Sequence, residues 1–121
     1  MNKINILDCT LRDGGYYNNW DFSKELVNDY LKAISDSGIT NVEIGFRSLK
    51  ENKLNGPNFF STENYINVLK IPKNINIGVM INVSELIQYS ENYKKILSKV
   101  FKEKSKSKVK FIRLATHFTE V

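Results

Sequence analysis

Arg12, Asp13, Gly14 and Gly15 stand side by side where an apolar stretch gives way to a polar one. An aspartate there offers hard oxygen ligands to a divalent cation such as Mg²⁺ or Mn²⁺. The neighbouring arginine offers a permanently charged fork suited to a carboxylate or a developing enolate. Two glycines let backbone approach a ligand closely. The same four residues could also make a surface salt bridge beside a turn, and spacing alone does not choose between the two. The glycines lack the spacing of a dinucleotide or phosphate-loop fingerprint, which removes nucleotide binding at this point.

Other polar groups gather at comparable places. An apolar run from Ile4 to Leu7 leads into Asp8, Thr10, Arg12 and Asp13. A second, Asn41 to Phe46, contains Glu43 and leads into Arg47 and Ser48. A third, Ile75 to Ile81, ends at Asn82 and Ser84, and a fourth, Val109 to Ala115, at Thr116, His117, Thr119 and Glu120. The runs are short, rich in Ile and Val, and apolar on both sides of their alternation, as in strands buried on both faces of a parallel sheet.

Helical patterns lie between them. Phe22, Leu26, Tyr30 and Ile34, with Val27 and Leu31, make one apolar stripe. Asp21 or Ser23 can cap its start and Gly38 can close it. A second helix follows Ser61-Thr62, buries Tyr65, Ile66 and Leu69, and stops near Pro72. A third begins near Ser84 and uses Tyr93, Ile96, Leu97, Val100 and Phe101. The longest irregular stretch is 48–60. Strand and helix alternate with a repeat of about 35 residues, the size of a βαβ unit, which implies parallel strands and right-handed crossovers. Barrels of eight such units need about 250 residues and place their active sites where strands end. The expected fold is therefore α/β, a partial (half) TIM barrel of about four parallel strands alternating with helices, as one domain over 1–121.

Composition narrows the classes. The 121 residues are 41% hydrophobic and 26% charged, as in a folded globular chain. No apolar run approaches the roughly 20 residues of a membrane span. The segment Met1 to Asn5 lacks the apolar core of a signal peptide. Cys9 is the single cysteine, so no internal disulfide forms and a cytoplasmic setting is expected. It reads as a small buried apolar residue rather than a nucleophile, and Tyr17 and Trp20 as packing at the barrel rim. The net charge is +5, much of it in Lys94, Lys95, Lys99, Lys102, Lys104, Lys106, Lys108 and Lys110. No aromatics interleave with these lysines to stack bases. They read as a solvated face rather than a nucleic-acid surface.

The segment Asp8-Cys9-Thr10-Leu11-Arg12-Asp13-Gly14 resembles the signature of the DRE-TIM metallolyases, which include 4-hydroxy-2-oxovalerate aldolase, hydroxymethylglutaryl-CoA lyase and isopropylmalate synthase. Val42-Glu43-Ile44-Gly45 is similar to that superfamily's second strand. Ile112-Arg113-Leu114-Ala115-Thr116-His117-Phe118-Thr119-Glu120 looks like the fourth-strand segment of the 4-hydroxy-2-oxovalerate aldolases. The resemblance covers essentially the whole chain and the amino-terminal half of that barrel. It implies retro-aldol cleavage of a 4-hydroxy-2-oxo acid to pyruvate and an aldehyde. Asp13 would be a metal ligand, for Mn²⁺ or Mg²⁺, and Arg12 would steady the enolate. Glu43, Arg47 and His117 are the accompanying candidates for substrate binding.

Departures from the pattern bear on this. The family's histidine base falls at Tyr16, which could donate a hydrogen bond, act as a base, or pack over the barrel mouth. The family's His-x-His metal pair comes from a later strand, and this sequence has one histidine, His117, which could equally be a hydrogen-bonded strand-end residue. The metal is therefore expected to bind weakly or not at all to this chain alone. Three functions follow: a pyruvate-type aldolase left incomplete in this chain; a truncated or split barrel portion without catalysis; or an acyl-CoA-dependent Claisen-type synthase, which the Thr-His-x-Thr-Glu segment disfavours. Exposed sheet edges predict self-association or a complementary carboxyl-terminal barrel half, and neither nucleic acid nor membrane as a partner.

Overall fold

The computed structural model describes residues 3–120; Met1 and Asn2, the opening of the segment read above as leaderless, and Val121 lie outside the described residues. The elements are β1 (Leu7–Asp8), α1 (Thr10–Gly14), α2 (Lys24–Asp36), β2 (Asn41–Phe46), α3 (Pro57–Phe60), α4 (Glu63–Asn67), β3 (Asn76–Asn82), α5 (Val83–Ile87), α6 (Tyr93–Val100) and β4 (Val109–Ala115). The four strands pair in sequence order, β1-β2-β3-β4, and every pair is parallel. This is the expected α/β arrangement, a partial barrel.

Alternation along the strands divides the sheet into two faces. Val42 and Ile44 of β2 and Ile77 and Val79 of β3 join Val27 and Leu31 of α2 and Ile66 of α4 in one buried cluster between sheet and helices. Each fully buried aliphatic side chain there contributes about 1.5–3 kcal/mol. Phe46 and Met80 pack on the opposite face with Trp20, Phe59 and Ala115. A bulge between Glu43 and Gly45 shifts the β2–β3 register.

The helix signals hold with changes of detail. Ser23 caps α2, its hydroxyl accepting from Leu26 N at 3.1 Å, and Gly38 follows at φ 86°. Leu26 stays exposed, because the stripe is centred on Val27 and Leu31. Thr62 caps α4, which ends sooner than expected although Ile66 and Leu69 are buried. Tyr65 donates to the buried Asn58 at 2.8 Å, and burial pushes its phenol up to about 12. The expected third helix is two, α5 and α6, separated by a 3-10 turn at Ser90–Asn92 where the apolar periodicity lapses.

Two strands depart from the doubly buried reading. β1 is two residues long and pairs only at Leu7 and Asp8. As an edge strand it leaves Ile4 and Ile6 exposed. On β4, Ile112 and Leu114 are also exposed. They form one wall of an apolar groove that runs along α5 and α6 and is floored by Ile81. No helix among the described residues is long and apolar enough to cross a membrane.

Candidate active site

The turn that carries Arg12 and Asp13 is built from Asp8. Its carboxylate, at the end of β1, accepts from Thr10 N at 3.0 Å and Thr10 Oγ1 at 3.2 Å, and from the Tyr30 hydroxyl. Burial and that bond hold the Tyr30 phenol well above its usual range. The chain then enters α1. Trp20, buried and at φ 55°, donates from Nε1 to Arg12 O at 2.8 Å. A left-handed backbone at a bulky residue costs on the order of 1 kcal/mol, which burial of the indole offsets. Gly15 is required beneath it, since a Cβ there would lie inside the indole ring.

Arg12 reaches down from α1 to Glu43 on β2. Its Nε donates to Glu43 Oε1 at 2.8 Å, and its Nη1 pairs with Asp13 Oδ1 at 2.6 Å. Glu43 is fully buried. A second cation meets it from β4: Arg113 donates from Nε to Oε2 at 2.6 Å and from Nη2 to Oε1 at 2.7 Å. Arg113 must cross β3 to do so, a span of about two strand spacings or 9–10 Å. Gly78, the β3 residue in register with Glu43, leaves its side-chain space to the Phe111 ring, which lies where a Cβ would stand.

The result is a fork of two guanidiniums on one buried carboxylate. Burial alone would raise the Glu43 carboxyl, but hydrogen bonds from Arg113 and then Arg12 outweigh it and hold the group below its ordinary value. Burial would lower the Arg12 guanidinium, and its bond to Glu43 reverses the sign. Glu43 is ionised and both arginines are charged. Asp13 is the outermost member, its side chain 64% exposed. Cys9 is half-buried, with Arg113 Nη2 at 3.9 Å from Sγ. Burial, followed by the Glu43 charge, raises its thiol, so Cys9 is a neutral spectator, in keeping with the sequence reading.

The structure thus brings Arg12, Asp13 and Glu43 together and adds Arg113, which the sequence reading quoted without assigning it a role. The available signal was a charged residue between Ile112 and Leu114 in the apolar half of β4, matching Glu43 two strands away. Glu43 was expected to touch substrate; both its oxygens are taken by arginines, which makes it a residue that holds them. Arg47, also expected at the substrate, points to the helix side of β2. It is 2% exposed, bonded to Val100 O and Glu63 and stacked 4.7 Å over Phe101, and it does not join the fork. The β2 bulge reverses the alternation that would have turned it inward.

Tyr16 lies on the rim, exposed, its ring edge-on to Trp20 at 4.7 Å. It makes no side-chain hydrogen bond among the described residues. His117 is exposed beyond β4; its backbone N donates to Glu120 at 2.9 Å, and its ring has no hydrogen-bond partner among the described residues. A second polar cluster pins the loop after β2: the buried Glu85 accepts from Ser48 Oγ at 3.0 Å and Leu49 N at 2.6 Å. Among the described residues no three His, Cys, Asp or Glu side chains converge as a cation site. Asp13 alone, already paired with Arg12, does not fit the several ligands a divalent ion takes.

No protein-family model matches the chain, and no curated relative matches it. A solved structure does: one described as the N-terminal domain of a "putative aldolase" from Bacteroides vulgatus, 28% identical, with a TM-score of 0.65 over 92% of this chain. The match spans about a third of that protein, 35% of its length. The chain therefore shares a partial barrel with an aldolase-like amino-terminal domain.

Proposed function

We propose that this chain forms the amino-terminal part of a carbon–carbon lyase of the pyruvate aldolase type, within the DRE-TIM metallolyase superfamily. The observation that carries the reading is Arg12, immobilised by Glu43 at the carboxyl end of β1, with donors left over for an oxyanion. A base removes the proton of a 4-hydroxy-2-oxo acid's hydroxyl. The C3–C4 bond breaks, an aldehyde departs, and the electron pair passes into C2–C3 as the C2 oxygen becomes negative. Arg12 holds that oxygen until C3 is protonated to give pyruvate. A fixed donor of this kind is worth about 10²–10³ in rate. Tyr16 occupies the position of the family's base, and its exposed place on the rim leaves it accessible to substrate. The family's divalent cation would need ligands beyond Asp13, and no step is assigned to it.

A second reading has its own support. Asp13 is a lone carboxylate, and the structural neighbour is nearly three times longer than the matched region. On that basis the chain binds the 2-oxo acid but needs further strands to cleave it. The test is pyruvate release from a 4-hydroxy-2-oxo acid, with and without Mn²⁺, by the chain and by Arg12→Ala. Release that falls about 100-fold in Arg12→Ala supports the lyase. Undiminished release in the variant overturns the assigned role of Arg12, and no release from either protein leaves the second reading in place.

A further inference from the structure

Resting on the aldolase reading, we infer that Arg113 is the second anion contact of this site, holding the carboxylate of a small 2-oxo acid whose C2 oxygen lies on Arg12. Arg113 presents Nε and Nη2 to Glu43, and Nη2 also lies 3.9 Å from Cys9 Sγ. Nη1, with both its protons, has no hydrogen-bond partner among the described residues. Its side chain is 44% exposed, against 15% for Arg12, so it is the more accessible of the two.

Asp13, at the outer edge, is paired with Arg12 rather than with Arg113, so it leaves the Arg113 Nη1 open. An open guanidinium nitrogen beside an enolate-binding arginine suits a ligand with two adjacent oxygen-bearing carbons, which is the chemistry of a 2-oxo carboxylate. Nη1 offers that carboxylate a charge-assisted hydrogen bond. A role confined to holding Glu43 would not call for a free, solvent-reaching nitrogen.

Oxalate, a planar stand-in for the pyruvate enolate, is the probe. It is titrated into the ¹⁵N-labelled chain while the guanidinium resonances of Arg12 and Arg113 are followed, and its affinity is compared in Arg113→Gln and Arg113→Lys. Shifts at both arginines in the unmodified chain, a tenfold or greater loss in Arg113→Gln and partial recovery in Arg113→Lys support the inference. A shift at Arg12 with none at Arg113, or equal affinity in folded Arg113→Gln, overturns it and leaves the aldolase reading standing. No binding by the unmodified chain overturns both. Because the resonances are read in the unmodified chain, an unfolded variant does not prevent a decision.

Discussion

Glu43→Gln removes the one anion that holds two guanidiniums together. Three charge-assisted hydrogen bonds, at 2.8, 2.6 and 2.7 Å, end on its two oxygens. Removing one partner of a buried ion pair costs about 3–5 kcal/mol, most of it the penalty of the stranded charge. Two features reduce that here. The glutamine keeps one oxygen acceptor, and Arg113, with its side chain 44% exposed, can turn to solvent. Arg12 cannot, and keeps only Asp13. The expected loss is about 2–3 kcal/mol, which for a domain of this size lowers Tm by roughly 8–12 °C. Urea unfolding followed through Trp20, the single tryptophan, gives the value directly, since its indole is bonded to Arg12 O. Arg113→Gln alone is expected to cost less, and the double variant less than the sum, because the three residues share one network. A Glu43→Gln loss below about 0.5 kcal/mol, or strict additivity of the pair, would refute the idea that this carboxylate organises the fork.

Other outcomes follow from the same contacts. Glu43 has a folded-state pKa below its unfolded value, so between the two the unfolded chain binds more protons and stability rises with pH. Its contribution is complete above the ordinary carboxylate range and fades as pH falls beneath it, and the acid limb of a stability profile should flatten in Glu43→Gln. Gly15→Ala drives a Cβ into the Trp20 ring, with an expected cost of about 1–3 kcal/mol and a changed Trp20 emission. The groove walled by Ile112 and Leu114 predicts concentration-dependent association in sedimentation velocity, reduced by Leu114→Glu. Titration calorimetry with Mn²⁺ should show binding no tighter than about 10⁻⁴ M, since Asp13 is the single carboxylate offered.

Much of the fold could be read from local signals. Ser23, Thr62 and Gly38 marked helix ends because capping acts over a few residues, and β2 and β4 matched their Ile and Val runs at both ends. β1 did not: its pairing reaches only Leu7 and Asp8 while Ile4 and Ile6 stay exposed, a tertiary outcome that the local apolar pattern does not record. The Arg12–Asp13 pair was legible as adjacent residues. Glu43 was legible as an oddity in an apolar strand, but its role was not, since its partner Arg113 is 70 residues away. Arg47 misled because a bulge, invisible in the residue pattern, changed which face it occupies.

The central claim is that Arg12 at the head of β1 is a held anion receptor. Calorimetric titration of oxalate into the chain and into Arg12→Ala tests it most directly. Saturable binding by the chain that weakens at least tenfold in a folded Arg12→Ala is the predicted result; equal binding by both, or none by the chain, would contradict it.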